Sequence, residues 1–385
     1  GVYPVRKRLT GDILKEVNAL IIEKQKKEAE GAQGDHRSTG SDSGESNKGT
    51  LIVDATCAPE DMRYPHDVGL LDEARRKTEG IIDTLQEHAP HDYEKPRTYR
   101  KIARKEFLTF IRNRKPRERA LRKALKQQLQ YVERNLRIIS GYKDVVGFDV
   151  LTKRQYRALM VISELVRQQR QMYCGKSHSL EGRIVSITKP HVRAIVSGKA
   201  REKYEFGAKL SVSLVDGLSE VHRLSWEPYN ECQDLKGQIE SYQQRYGRYP
   251  EVVCADRIYR TRENLRYCEE NGIRLSGSKL GRPFKEGEKN RERLREQRRI
   301  GRHDESVRIG IEGKFGKGKR RYSLDRIGAK LRVTSESAIM MVFLVMNLMV
   351  LYRRKAKAFF VSLIATIAEL LRRAFLMPIE KLIVS

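Results

Sequence analysis

Two short apolar runs that each lead into an aspartate constrain the fold of this chain more than any other feature. They read LIVD at 51–54 and VVCAD at 252–256. Continuous apolar runs of this length, rich in β-branched residues, are typical of strands buried within a sheet. We therefore expect Asp54 and Asp256 at the ends of two buried strands, at the rim of a sheet where ligands commonly bind.

The surrounding patterns predict an α/β fold. Alternation over 203–227, interrupted by a Gly-containing turn, predicts a β-hairpin. A helix follows with Asn230 available as its N-cap, a second helix covers 261–271, and GIRLSG at 272–277 predicts a short strand. Strands that alternate with helices in this way favour a sheet covered by helices.

Composition divides the chain into five parts. An amphipathic helix precedes a Gly/Ser/Asp-rich linker with no large apolar residue. The α/β core is then interrupted by a basic, mainly helical insertion, and apolar helices close the chain. The boundaries are 1–30 for the helix, 31–50 for the linker, 51–67 and 200–335 for the core, 68–199 for the insertion and 336–385 for the C-terminal helices.

The apolar, the all-charged and the basic segments can each be interpreted in two ways. The apolar stretches 338–352 and 358–371 are each shorter than the roughly 18 residues expected of a membrane span, so we interpret them as buried helices. The nearly all-charged segment 284–306 predicts a mobile or DNA-contacting connection. In the helical insertion, Lys and Arg cover the helix faces that are not apolar, which suits either a solvated surface or one that faces DNA.

The charge of the chain points to a polyanionic partner. There are 78 Lys and Arg residues against 50 Asp and Glu, a formal net charge of +28. Nucleic acid is the commonest large polyanion, with an unrelated basic enzyme or an anionic-membrane protein as alternatives. The five cysteines form no C-x-x-C pair, which argues against a disulfide framework and a zinc site and favours a reducing cytoplasm.

The stretch GKFGKGKR at 313–320 nearly matches a phosphate-binding loop. Arg320 replaces the hydroxyl residue that such a loop needs for magnesium, and a charged segment stands where a strand should precede it. A nucleotide hydrolase is therefore disfavoured. If 304–320 is instead helical, Arg308, Glu312 and Lys319 share one face.

Three acids then suit a metal-dependent reaction on DNA. Magnesium prefers oxygen ligands, and carboxylates from separate elements can hold two such ions for phosphoryl transfer. Asp54, Asp256 and Glu312 are the candidates, while Arg308 and Lys319 would meet DNA phosphates.

Several segments together resemble the DDE transposases of bacterial insertion sequences, most closely the insertion-sequence-five type. IVDAT with YPHD downstream resembles the first-Asp block of that family, and VVCADRIYRTRENLRYCEENGIRLSG resembles its second-Asp block. GKAREKYEFGAKLSVS is similar to its strand entry. VRIGIEGKFGKGKRRYSLDRI resembles its Arg-x3-Glu-x6-Lys signature, as Arg308, Glu312 and Lys319.

This resemblance implies an RNase H-like core, a mixed sheet flanked by helices, in the order strand-Asp, strand, strand, helix, strand-Asp, helix, strand, helix-Glu. It implies two Mg²⁺ or Mn²⁺ ions on the three acids, with cleavage at the ends of an insertion sequence and strand transfer into target DNA. It also implies that the helix at 1–30 is the remnant of a DNA-binding region. The partners would be double-stranded DNA and a second copy of the chain, in the nucleoid of a bacterial cytoplasm, with no membrane and no nucleotide cofactor.

Four further residues are candidate DNA contacts. They are Arg257, Tyr259, Lys199 and Lys209. The three basic residues would contact phosphate, whereas Tyr259 either stacks on a base or packs in the core. The alternative to a working enzyme is an inactive or truncated remnant that only binds DNA.

Overall fold

The computed structural model describes residues 9–32, 46–196, 204–277 and 291–375. The helices are α1 (Gly11–Ala32), α2 (Asp67–Glu87), α3 (Arg100–Arg112), α4 (Glu118–Tyr142), α5 (Lys153–Cys174), α6 (Leu235–Tyr246), α7 (Arg262–Glu270), α8 (Arg291–Arg321) and α9 (Arg332–Phe375). The strands are β1 (Thr50–Pro59), β2 (Arg193–Val196), β3 (Tyr204–Val215), β4 (Leu218–Ser225), β5 (Val252–Cys254) and β6 (Arg274–Leu275). Most of the expected linker, residues 33–45, lies outside the described residues.

The strands form one mixed sheet. Its order is β2-β3-β1-β5-β6, with β4 also paired to β3. Strands β1, β5 and β6 run parallel, whereas β3 is antiparallel to β1, β2 and β4. The hairpin between β3 and β4 turns at Asp216 and Gly217, both with positive φ, as its Asp-Gly sequence predicts.

Helices cover both faces of this sheet, which confirms the predicted α/β architecture. On one face, Leu210 and Val212 of β3 pack with Phe315 of α8 and Phe343 of α9. On the other face, Leu51, Val53 and Val253 pack with residues of α6 and of the segment around α7. Alternate residues of β1 therefore point to opposite cores, as the pleat requires.

The four helices α2 to α5 follow β1 and precede β2 along the chain. They form a separate layer, as the helical pattern at 68–175 predicts. Their core is apolar and includes Leu71, Val132 and Leu165. A second apolar cluster, with Ile82, Ile139 and Tyr142, extends the same helix packing. Strand β2 was not predicted; although it precedes residue 200, it pairs with β3 and so belongs to the sheet.

Two predictions about the second half of the chain are wrong. The charged segment 284–306 is not a mobile connection, because from Arg291 onward it forms the first half of α8. Residues 284–290 lie outside the described residues, and contact of this segment with DNA stays a prediction. Arg299 pairs with Glu296 three residues earlier, and pairs at this spacing lend a charged helix some local stability.

The described part of the C-terminal segment, up to Phe375, is one helix and not several. In the first half of α9, Ile339 and Phe343 lie in the core, whereas further along the helix Phe359 and Ile364 are 64% and 65% exposed. The prediction of burial therefore holds for the inward side of 338–352 and fails at Phe359 and Ile364 of the second stretch. Arg332–Phe359 is long and apolar enough to cross a membrane. Core helices of soluble proteins meet the same criterion of length and composition, so this is weak evidence for a membrane span.

Helix α1 packs on α9 and β4. Its buried residues are Leu14, Asn18 and Ile22. The face that α1 buries is therefore rotated away from the face that carries most of its apolar residues. Leu20 is consequently 64% exposed.

Candidate active site

Asp54 lies in the middle of β1, where the sequence predicted a strand end. Strand β1 continues to Pro59 because β3 pairs with it along this whole stretch, whereas β5 pairs only with Thr50, Leu51 and Ile52. Asp54 is thus two residues beyond the point where its parallel neighbour stops. Its side chain points to the same face as Ile52, the face that α8 covers.

Asp256 follows the end of β5 directly. Continuing the β1–β5 register, in which Ile52 faces Cys254, by two residues brings Asp256 opposite Asp54. The two carboxylates make the same local contact. Oδ1 of Asp54 accepts from the N–H of Ala55 at 2.8 Å, and Oδ1 of Asp256 accepts from the N–H of Arg257 at 2.6 Å. Each aspartate is therefore oriented by its own backbone.

Arg308, Glu312 and Lys319 all lie on α8, which confirms that this region is helical. Successive positions turn by about 100°, so the three side chains fall within one narrow face. The near-match to a phosphate-binding loop, 313–320, is part of this helix and forms no loop. Arg308 binds Glu312 through an ion pair of 2.8 Å, with the Glu312 side chain 48% exposed.

Packing stabilises α8 despite its glycines, each of which costs roughly 1 kcal/mol relative to alanine. Ile311 and Phe315 are buried against the sheet. A Cβ on Gly310 would lie 3.6 Å from Leu214, which shows how closely the helix approaches β3.

Three polar contacts that the sequence did not predict hold α8 in place. Asp304, 5% exposed, forms an ion pair with Arg274 of β6, with N–O distances of 2.6 and 2.8 Å. Lys314 Nζ donates to the carbonyl oxygen of Gly217 at 2.9 Å and to Oδ1 of Asn347 at 3.0 Å. Their only signal in the sequence was a charged residue on the apolar side of an amphipathic helix. These contacts fix Glu312 relative to β1 and β5.

Asp54 is electrostatically coupled to both of the other candidate acids. Burial is the largest effect on Asp54 and, together with the negative charges of Asp256 and Glu312, raises its pKa to about 6. The bond from the Ala55 N–H and the charge of Arg308 oppose this rise. Asp54 therefore lies within electrostatic reach of both other acids and of the arginine.

The donor set suits a divalent cation such as magnesium. All three candidates offer carboxylate oxygens, and the crowding of negative charge at Asp54 is what a bound cation would relieve. Among the described residues, however, no group of three or more His, Cys, Asp or Glu side chains is already arranged to hold a metal. Glu312 instead pairs with Arg308.

The remaining candidate DNA contacts have diverse surroundings. Arg257 is exposed beside Asp256. Tyr259 is fully buried in the core, so it packs and does not present its ring for stacking, the alternative that the sequence left open. Lys209 bonds the carbonyl oxygen of Tyr229 at 2.8 Å and pairs with Glu231. Lys199 lies outside the described residues.

Residues 253–349 match the family model of the transposase DDE domain. The match runs from β5 into α9, covers about a quarter of the chain, and includes Asp256 and Glu312 but not Asp54. It supports a DDE transposase as the class of this enzyme. No curated protein and no solved structure matches the chain.

Proposed function

We propose that this chain is a DNA transposase whose active site comprises Asp54, Asp256 and Glu312. The observation that carries the proposal is the β1–β5 register, which brings the two aspartates together under the helix that carries the glutamate. The family match supports the class of enzyme from independent information.

The order of elements supports an RNase H-like core. The chain runs through β1 with Asp54, β3, β4, α6, β5 followed by Asp256, α7, β6 and α8 with Glu312. This is the order that the resemblance to insertion-sequence transposases implies, with β2 and the helical layer added. The insertion-sequence-five type rests on the motifs around these same acids.

Asp54, Asp256 and Glu312 would together hold two Mg²⁺ or Mn²⁺ ions. Bound there, the cations would activate the attacking water or 3′-hydroxyl and stabilise the leaving oxygen. The backbone bonds from Ala55 and Arg257 keep both aspartates oriented without a ligand. Binding would also require Glu312 to exchange Arg308 for a new partner.

Arg308 and Lys319 would contact DNA phosphates on the same face of α8. Once Glu312 is released, Arg308 has a free guanidinium directly beside the reacting phosphate, and such a planar donor suits phosphate oxygens. Arg257, exposed next to Asp256, could contact the backbone from the other side. The reaction would be cleavage at the ends of an insertion sequence and transfer of the 3′ ends into target DNA.

The partners would be double-stranded DNA and a second copy of the chain bound to the paired ends. Nucleoid-associated action in a bacterial cytoplasm follows from such a substrate. The net charge of +28 suits a protein that works on DNA.

The test is magnesium-dependent nicking and strand transfer on plasmid DNA by variants that preserve shape. Asp54→Asn, Asp256→Asn and Glu312→Gln should each lose cleavage by at least about a hundredfold, since each removes a charged oxygen ligand. All three should still bind DNA in a gel-shift assay. Glu292→Gln, an exposed position about 30 Å along the same helix, is the matched control and should cleave normally.

The same experiment separates the enzyme from a remnant that only binds DNA. A wild-type protein that shifts DNA but never nicks it with magnesium or manganese present is the remnant. Full cleavage by Asp256→Asn would refute the assignment of the site.

A further inference from the structure

Helix α3 carries a basic stripe on the face that points away from the protein. Ala103 is its one buried residue, and the exposed Lys101, Arg104, Lys105 and Arg112 fall within roughly 100° of arc on the other side. A helix so little buried contributes few apolar contacts to the core. Its sequence is therefore better explained by what it presents to the outside.

The single acid of α3 is turned inward. Glu106 accepts from Gln127 and from the hydroxyl of Tyr131 on α4, both at 3.0 Å. Gln128 donates to the carbonyl oxygen of Ala103 at 3.2 Å, and Arg100 pairs with Asp83 of α2. These contacts fix the rotation of α3, so that its four outward cations face solvent with no acid between them.

Helix α4 repeats the arrangement. Arg119, Lys123, Lys126 and Arg137 are exposed and lie within roughly 60° of arc, opposite the buried face that includes Val132. Five acids of the helical layer are engaged elsewhere, in the pairs Asp72–Arg75, Glu79–Arg75, Asp83–Arg100, Glu133–Arg170 and Glu164–Arg167. Within residues 46–196, none of the eight outward cations of α3 and α4 forms an ion pair.

An aromatic residue lies among further cations at the start of α3. The guanidinium of Arg134 is 4.2 Å from the centre of the Tyr99 ring, and that of Arg97 is 5.1 Å from it. These contacts order two arginines beside the stripes without neutralising them.

We propose that these two stripes, four cations on α3 and four on α4, bind the phosphate backbone of double-stranded DNA without reading its sequence. The proposal builds on the proposed function, because it names the surface that would hold the substrate outside the active site. Charge complementarity identifies the partner: rows of unpaired Lys and Arg on rigid helices match a surface of closely spaced phosphates.

The dimensions agree with a duplex. The stripe on α3 is about 16 Å long and that on α4 about 27 Å, while duplex DNA carries one charge per roughly 1.7 Å of its axis. Each stripe can therefore meet several phosphates. An anionic membrane is the competing partner because Leu108 and Ile111 are 38% and 46% exposed on α3. The stripe on α4 contains no such apolar residue, which favours DNA.

The test measures the affinity for a fluorescent DNA duplex of about 30 base pairs as a function of salt. The variant combines Lys101→Ala, Arg104→Ala, Lys105→Ala and Arg112→Ala in the full chain. We expect at least about a tenfold weaker Kd, and a slope of log K against log salt that is shallower by about 2 to 4. Circular dichroism should show the helix content of the wild type.

A matched control removes four exposed cations elsewhere: Lys24, Arg262, Arg266 and Lys357, each changed to alanine. For this control, the slope of log K against log salt should differ less from the wild-type slope than the slope of the α3 variant does. Equal effects of both variants would mean that only net charge matters, and would overturn the proposal. So would an unchanged affinity of the α3 variant.

Vesicles of phosphatidylserine are the second probe. Binding to vesicles that depends on the four cations of α3, with DNA binding unaffected by them, would identify a membrane surface and refute the proposal. All binding is measured without added metal and so does not depend on cleavage. A failure of the proposed enzyme activity would therefore leave this result standing, and the reverse is equally true.

Discussion

Asp54 and Asp256 have the same side chain and the same bond from the following N–H, but they differ in exposure. Asp54 is partly buried under α8, and its pKa is raised to about 6, first by burial and then by the neighbouring acids. Asp256 is exposed at the end of β5. The chain thus keeps one acid in an environment that disfavours its charge, as is common at functional sites.

A second residue in an unfavourable environment gives a prediction about acid stability. His191 lies edge-on to Trp226, with ring centres 4.4 Å apart, and both of its nitrogens are buried without a hydrogen-bond partner. Burial, together with the charges of Lys189, Arg157 and Arg332, lowers the pKa of His191 to about 4, and Glu336 opposes this only in part. The folded protein therefore keeps this ring neutral.

Between about pH 6.5 and 4, the unfolded chain binds a proton at His191 that the folded chain does not, so the free energy of unfolding falls as the pH is lowered. His191→Gln should reduce this loss by roughly 1 to 3 kcal/mol between pH 7 and 4.5. Urea unfolding at several pH values measures it. His88→Gln, at an exposed position, should leave the pH dependence of the wild type, and equal slopes for all three proteins would contradict the prediction.

At the scale of elements, the antiparallel pairing of β1 with β3 depends on one glycine. A Cβ on Gly207 would lie 2.1 Å from the carbonyl oxygen of Ala58 and 2.7 Å from Cα of Pro59, both backbone atoms of β1. Gly207→Ala should therefore lower the free energy of unfolding by about 1 to 3 kcal/mol or more. Thermal unfolding followed by circular dichroism measures the change.

Gly80, on the exposed face of α2, is the matched control for this prediction. Nothing lies within 4 Å of a Cβ placed there. Gly80→Ala should raise stability by up to about 1 kcal/mol because alanine is the better helix former. If both substitutions were stabilising, the close approach at Gly207 would not be real.

A buried polar network joins α1, β4, α8 and α9 at Asn347. Its amide donates to Asn18 at 2.8 Å and to the carbonyl oxygen of Ser219 at 2.7 Å, and its oxygen accepts from Ser219 and Lys314. Burial, with the charges of Lys317 and Arg354, lowers the pKa of Lys314 to about 8. Lys314 donates only to neutral oxygens within this network, the carbonyl oxygen of Gly217 and Oδ1 of Asn347.

Asn347→Leu should cost about 2 to 4 kcal/mol, since it leaves several buried polar groups unsatisfied. Hydrogen exchange should become faster in α1, because Asn18 would lose the bond that it accepts from the Asn347 amide. Leu348→Ala, at the next and 45% exposed position, is the control and should leave exchange in α1 unchanged. Equal protection of α1 in the Asn347 variant would show that apolar packing alone holds that helix.

At the scale of the whole molecule, α9 packs into the core through residues such as Ile339 and Phe343, whereas the large apolar side chains that the structure describes between 352 and 364 are exposed. Tyr352, Phe359 and Ile364 are each more than 60% exposed. A chain that ends at Tyr352 should therefore unfold cooperatively, within about 1 kcal/mol of the full chain. Urea unfolding compares the two. A large loss of stability would mean that the distal half of α9 contributes to the fold.

The sequence by itself determined the α/β class, the β3–β4 hairpin, the helices around the second aspartate and the three acids on which the proposed site rests. It could do so because short apolar runs, an Asp-Gly turn and helical spacing are local signals. The helical face shared by Arg308, Glu312 and Lys319 is another such signal, and the structure confirms the helix.

Only the tertiary structure decided which residues meet. Strands β1 and β5 pair through residues 50–52 and 252–254, which sets the segments that carry Asp54 and Asp256 side by side, and no local pattern specifies the pairing of strands so far apart in the chain. Tyr259 is buried, 291–306 is helical, and Phe359 and Ile364 are exposed because long-range packing outweighs local composition at each of these places. The environment that raises the pKa of Asp54 likewise exists only once α8 has docked on the sheet.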